Sequence, residues 1–173
     1  FDYSYDNRYR RVGELKRIQG NSTTANYTYD SFNRLKTTLL PNGTLISYNY
    51  SAQNLLSSID SILNISHNEF NKPLVRSYSN GLSTSFTYDP LNARLTHIHT
   101  ASKQDLNYEY DNVSNVLQIY DPLNSITQNM QYDPLSRLIY ASRMDDSPQH
   151  EDYVFNYSYS SIGNLLSILK NNG

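Results

Sequence analysis

Two histidines spaced two residues apart, His97 and His99, are the first candidates for chemistry. On a β-strand, residues i and i+2 share a face, so the two imidazoles would point the same way and could ligate a metal. No third ligand stands beside them in sequence. The pair therefore reads as two polar positions on a solvated face, and no metal site is expected. Three Asp-Pro steps, Asp89-Pro90, Asp121-Pro122 and Asp133-Pro134, suit turns, because proline presets φ for a bend. Asp145 and Asp146 with Glu151 and Asp152 form an acidic patch that could do acid-base work or hold calcium. It lacks the glycine-bearing loop of an EF-hand, so it reads as a solvated surface loop. There is no Gly-x-Ser-x-Gly elbow, P-loop or His-Glu-x-x-His, and no cysteine. No catalytic residue and no cofactor are expected, and the chain is not expected to be an enzyme. Asn-x-Ser/Thr sequons at Asn21, Asn26, Asn42 and Asn112 follow from a composition rich in those residues.

The elements behind these residues emerge from composition. The chain has 173 residues, a net charge of -2 and a pI near 6.1, which speaks against nucleic-acid binding by a basic face. No apolar run is long enough to span a bilayer as a helix. Phe1-Asp2-Tyr3-Ser4-Tyr5 has neither the basic start nor the apolar stretch of a signal peptide, and it opens inside a repeat. The sequence is expected to be a piece of a longer protein. Tyrosine is the outstanding residue, with 17 copies against 5 Phe and no Trp. A large ring with a polar tip suits half-buried strands, and the abundant Ser and Asn suit turns.

A repeat organises the chain. Its core is Tyr-x-Tyr-Asp, followed by a turn and a leucine. The copies pair Tyr3 with Tyr5, Tyr27 with Tyr29, Tyr48 with Tyr50, Phe86 with Tyr88, Tyr108 with Tyr110, Met130 with Tyr132 and Tyr157 with Tyr159. A degenerate copy centred on His67 fills the remaining gap, giving about eight units spaced 17 to 27 residues apart across 1–173. Asp30, Asp89, Asp111 and Asp133 are expected to cap the turns. Gly163 fills the turn's small-residue slot, while Gly43 and Gly81 close the next bend. Asn92-Ala93-Arg94-Leu95 and the first copy are expected to carry one extra residue before the arginine and apolar pair. Leu39, Ile59, Ile98, Ile119 and Ile168 are expected as apolar partners on the second strand of each unit. The expected fold is all-β: tandem antiparallel hairpins forming a long curling sheet, with tyrosines stacked side by side in ladders.

Tyr29-Asp30-Ser-Phe-Asn-Arg-Leu35, Tyr88-Asp89-Pro-Leu-Asn-Ala-Arg-Leu95 and Tyr132-Asp133-Pro-Leu-Ser-Arg-Leu138 resemble the Rhs/YD-repeat family over essentially the whole chain. That family includes bacterial Rhs toxins, the B and C subunits of insecticidal toxin complexes, and teneurins. The resemblance implies an arc of a spiral β-shell that encloses or displays a toxin, in a secreted or cell-surface bacterial protein. No Rhs core cleavage motif occurs in this sequence. The implied partners are neighbouring repeats of a longer parent and an enclosed toxin domain. Two rival roles follow from the residues: an adhesion module whose tyrosines bind carbohydrate or protein, and a subunit that self-assembles with other copies into a tube or filament.

Overall fold

The computed structural model describes residues 1–18, 21–145 and 152–172. It consists of strands and turns, in two compact units, Phe1–Gly81 and Leu82–Gly173. The first unit holds β1 (Asp2–Tyr5), β2 (Arg11–Ile18), β3 (Asn21–Tyr29), β4 (Leu35–Leu39), β5 (Leu45–Tyr50), β6 (Leu56–Ile59), β7 (Leu63–His67) and β8 (Pro73–Tyr78). The second holds β9 (Ser83–Tyr88), β10 (Leu95–Thr100), β11 (Gln104–Tyr110), β12 (Val116–Asp121), β13 (Ile126–Tyr132), β14 (Leu138–Asp145), β15 (Tyr153–Tyr159) and β16 (Leu165–Asn172). Within each unit every strand pairs antiparallel with its sequence neighbours and touches no other strand. Among the described residues the sheet in each unit has no second layer. No hydrophobic side chain is buried among the described residues; the buried side chains are those of Thr38, Thr84, Thr100 and Ser142, and Gly13 is buried as well.

Period-two patterning sets the faces. The first tyrosine or phenylalanine of a unit lies opposite an isoleucine on the following strand: Tyr48 with Ile59, Phe86 with Ile98, Tyr108 with Ile119, Tyr157 with Ile168. Leu39 departs from the expected scheme. It pairs with Asn26 on the other face, and the buried Thr38 stands opposite Tyr27. In the first unit Glu14 occupies that slot opposite Tyr3.

The register spaces out the tyrosines of the expected ladder. Tyrosines of successive repeats lie two strands apart, about 9.6 Å at ordinary strand spacing, with an aliphatic or polar side chain on the strand between. Along β15, rings touch in sequence, Tyr153–Phe155 at 5.1 Å and Phe155–Tyr157 at 6.3 Å.

The repeat turns share one hydrogen-bond pattern. The amide of Asp30 donates to the Arg34 carbonyl (2.9 Å) and the amide of Asn33 to the Asp30 carbonyl (3.1 Å), with Asn33 at φ 64°. This is a three-residue loop closed by a left-handed residue and a bulge. The left-handed slot is filled in turn by Tyr9, Asn33, Asn54, Asn71, Ala93, Ser114, Ser136 and Gly163, with φ between 55° and 92°. Only four of these are the glycine or asparagine that the conformation favours. The first copy has the standard length, because the Asp6 amide reaches the Arg10 carbonyl just as Asp30 reaches Arg34. Arg11 takes the leucine slot opposite Tyr5, which disguised the register in sequence. The Asp89 turn does carry an extra residue, its amide reaching Arg94. The Gly43 turn closes Leu40 to Thr44 by the same pattern, with Gly43 at φ 83°. Gly81 also sits at φ 83°.

Candidate functional site

The chemistry of the chain concentrates at the sheet margin where the aspartate turns lie. In the Asp30 turn, Oδ1 accepts the amides of Phe32 (2.9 Å) and Arg34 (3.0 Å). Oδ2 receives Nε and Nη2 of the Arg34 guanidinium, at 2.7 and 2.6 Å. Asp6 with Arg10 and Asp133 with Arg137 repeat this bidentate pair. Asn115 replaces the arginine at Asp111, and Asn92 bridges Asp89 to the Arg94 amide. Asn68 stands in for the aspartate in the His67 copy, accepting the amides of Phe70 and Lys72. In the other two copies the hydroxyls of Ser51 and Ser160 accept.

These contacts set the acidity of the carboxyls. The Arg10 guanidinium, then the Arg10 and Arg8 amides, lower Asp6 from the ordinary 3.8 to about 2. For Asp133 the Arg137 amide and guanidinium hold the carboxyl below its usual value. Partial burial pushes Asp30 and Asp111 up, but the amides and side chains that donate to them outweigh it, so both also lie below the carboxylate norm.

From the turns that carry an arginine, the guanidinium reaches the next repeat. Arg34 Nη1 donates to Asn54 Oδ1 at 2.8 Å, Arg10 Nη1 to Asn33 Oδ1 at 2.9 Å, and Arg137 Nη1 to the Ser160 carbonyl at 3.2 Å. Arg94 reaches the Asp111 and Asn112 carbonyls at 2.6 and 3.1 Å. The same guanidinium covers the next repeat's second tyrosine, Arg34 over Tyr50 at 4.3 Å and Arg10 over Tyr29 at 4.7 Å. Arg137 covers Tyr159 at 4.8 Å and Arg94 covers Tyr110 at 5.7 Å. Beneath it, the tyrosine hydroxyl donates back to a main-chain carbonyl of the preceding repeat. Tyr29 reaches Arg11, Tyr50 reaches Leu35, Tyr110 reaches Leu95 and Tyr159 reaches Leu138, each at 2.8 Å.

The position of those carbonyls explains the motif. The β4–β5 ladder ends at Thr37 opposite Ser47, and Leu35 lies two residues beyond. The β2–β3, β10–β11 and β14–β15 ladders likewise end at Gly13, His97 and Tyr140, two residues past Arg11, Leu95 and Leu138. In each case the phenol supplies a hydrogen bond where the main-chain ladder has stopped. In these four copies the second tyrosine is thus a clasp that fastens its hairpin to the one before it. Burial raises the phenol pKa of Tyr50 and Tyr110. Burial raises Tyr27, Tyr108 and Tyr132 as well. His67 opposes Pro73 across the bulge that marks the second-tyrosine slot in the other copies.

At the tips of these turns, two residues past the capping side chain, stands a row of exposed apolar residues. In the first unit it includes Phe32 and Phe70, and in the second Leu91, Val113, Leu135 and Ile162, which is 82 % exposed.

The remaining candidates separate. Asp89 and Asp133 head repeat turns, while Asp121 caps a bend at the opposite margin, accepting the Leu123 amide at 3.0 Å. Asp145 is not a solvated carboxylate: its side chain is 1 % exposed and paired with Arg143 at 2.9 Å. Its amide donates to Asp152, while Asp146 and Glu151 lie outside the described residues. His97 and His99 do share a face, and the β10–β11 register brings Asp105 against both. The hydrogen bond from His97 is the main reason that the Asp105 carboxyl is held low.

No family profile and no curated protein matches the sequence. Solved structures do match. A crystal structure of TcdB2-TccC3 aligns at TM-score 0.76 and 20 % identity over 98 % of this chain and 11 % of its own. A crystal structure of TcdB2-TccC3-Cdc42 aligns at 0.72 and 22 %, over 88 % of this chain and 9 % of its own. A Photorhabdus luminescens Tc holotoxin pore carrying a TccC3 mutation aligns at 0.72 and 23 %, over 87 % and 9 %. The chain spans about a tenth of the length of these chains. Its tandem antiparallel hairpins therefore have the fold of a stretch of the TcdB2-TccC3 toxin-complex structures, which is the fold implied by its resemblance to the Rhs/YD-repeat family.

Proposed function

We propose that this chain is a non-enzymatic wall segment, a run of Rhs/YD-type hairpins whose work is to extend a β-sheet shell around a toxin or other cargo in a longer bacterial protein. One observation carries the reading. Within each unit, among the described residues, every strand packs only on its sequence neighbours and no hydrophobic side chain is buried. Such a sheet can be lengthened repeat by repeat without rebuilding a core. The exposed apolar turn tips suit a margin that is covered in a larger assembly. The likeness to toxin-complex structures supports a secreted, toxin-related setting.

A sugar-binding surface is less well supported, because the hydroxyls of Tyr29, Tyr50, Tyr110 and Tyr159 are already committed to carbonyls. The test is light scattering across a concentration series, with electron microscopy and a glycan array on the purified chain. A discrete small species that binds no glycan supports a wall segment. Tubes that lengthen with concentration would overturn it in favour of self-assembly, and saturable glycan binding lost on Tyr→Ala substitution in favour of adhesion.

A further inference from the structure

We propose that His97, His99 and Asp105 form a divalent-metal site that takes zinc on the face of the β10–β11 hairpin opposite the tyrosines. Strand β10 places the two imidazoles on one face, and the bend at 101–103 sets Asp105 directly opposite His99. His97 opposes Asn107, one step along that face, so Asp105 lies diagonal to it. The result is convergence from three side chains. His97 Nε2 is 2.5 Å from Asp105 Oδ1, and His99 Nδ1 is 3.6 Å from Asp105 Oδ2. All three donor atoms lie within 4.8 Å of one another. The imidazole planes are tilted by 38° with centroids 5.9 Å apart, so the rings are not stacked and their nitrogens can turn to a common point.

Zinc bonds of about 2.0–2.1 Å in tetrahedral geometry put donor atoms about 3.3 Å apart, a spacing that small side-chain rotations reach from here. Two imidazoles and one carboxylate form a borderline donor set that suits zinc over calcium or magnesium, which prefer all-oxygen shells. The side chains are 34, 45 and 22 % exposed, leaving room for the ion to enter and for water in the fourth position.

Asp105 also differs from the turn aspartates. The carboxylates of Asp6, Asp30 and Asp133 are each spanned by a guanidinium, whereas the ionic partners of Asp105 are the two histidines. Among the described residues its second oxygen is held by the longer 3.6 Å contact to His99. A metal would join two adjacent strands one rung in from their connecting bend, acting as a staple.

The full chain, stripped with chelator, is titrated with Zn2+ by calorimetry and with Co2+ by visible absorption. One equivalent of Zn2+ is expected, with Co2+ giving the ligand-field bands of a low-coordinate nitrogen-oxygen site and Ca2+ or Mg2+ failing to displace either ion. His97→Gln, His99→Gln and Asp105→Asn should each weaken Zn2+ binding by more than about tenfold. His67→Gln should leave it unchanged. Far-UV circular dichroism verifies that each variant retains its strands. A measurement independent of variants is imidazole NMR, in which Zn2+ should move the His97 and His99 ring signals and spare His67. Full affinity in any one of the three variants, displacement by Ca2+, or unmoved His97 and His99 signals would overturn the site.

Discussion

Replacing Tyr50 by phenylalanine isolates the clasp, because it removes one hydroxyl and nothing else. The ring remains under the Arg34 guanidinium, 4.3 Å from its centroid, so the cation–π contact survives. What disappears is the 2.8 Å hydrogen bond to the Leu35 carbonyl, beyond the last rung of the β4–β5 ladder. A net hydrogen bond of this kind contributes about 1 kcal/mol, and the half-exposed site lets water reach the released carbonyl, so no larger penalty for an orphaned acceptor is added. In a sheet whose strands touch only their sequence neighbours, the loss should stay local. Amide hydrogen exchange followed by NMR is therefore the right assay, rather than a global melting curve. Amides at the β4–β5 junction should exchange about fivefold faster, the factor corresponding to about 1 kcal/mol of opening free energy. Amides in 1–18 should not change. Tyr48→Phe is the control, since the Tyr48 ring faces Ile59 and its hydroxyl has no hydrogen-bond partner among the described residues. Equal exchange in Tyr50→Phe and wild type, or an equal effect from Tyr48→Phe, would refute the clasp.

Further outcomes follow from the turns and the face opposite the tyrosines. Tyr9 is 90 % exposed and sits at φ 58°, so Tyr9→Asn should stabilise the first hairpin by roughly 0.5–1 kcal/mol, read by urea unfolding. Ser142 is 3 % exposed with a hydroxyl that has no hydrogen-bond partner among the described residues, and Ser142→Ala should raise stability by about 1 kcal/mol in the same assay. Unchanged midpoints in these two variants would count against the strain and the orphaned hydroxyl respectively. Asp6 is lowered from 3.8 to about 2 on folding, so its contribution is complete above the unfolded value and is lost as pH falls through the folded one. Carboxyl NMR should give Asp6 a midpoint near 2, and Asp6→Asn should reduce the acid sensitivity of stability between about pH 4 and 2; a midpoint near 4 would remove the basis for both.

The hairpins and their turns were legible because their signals are local. Asp30, Asp89, Asp111 and Asp133 hold amides two to four residues away, a distance that one sequence can reveal. The role of the second tyrosine was not, because its hydrogen-bond target is a main-chain carbonyl, which every residue carries. A ladder of rings was the natural expectation from Tyr-x-Tyr alone, but hairpin pairing inserts a strand between tyrosines of successive repeats. Asp105 escaped notice for a related reason. Its approach to His97 and His99 depends on the register set by the bend at 101–103, and a one-residue slip would have sent it to the other face. Asp145 looked solvated because charge runs usually are, and only the structure places Arg143 against it.

The position of the clasps gives the sheet a mechanical asymmetry. Tension applied from strand to strand within a unit loads one ladder at a time, since no strand is braced by any but its neighbours. At the aspartate margin that load meets a phenol hook and a guanidinium spanning successive turns. At the opposite margin neighbouring hairpins are joined by covalent bends such as the one at Gly43. Peeling from the aspartate margin must therefore break a hook before the β2–β3, β4–β5, β10–β11 or β14–β15 ladder opens. Rupture should advance in steps of one hairpin, so that a torn repeat leaves the next one closed.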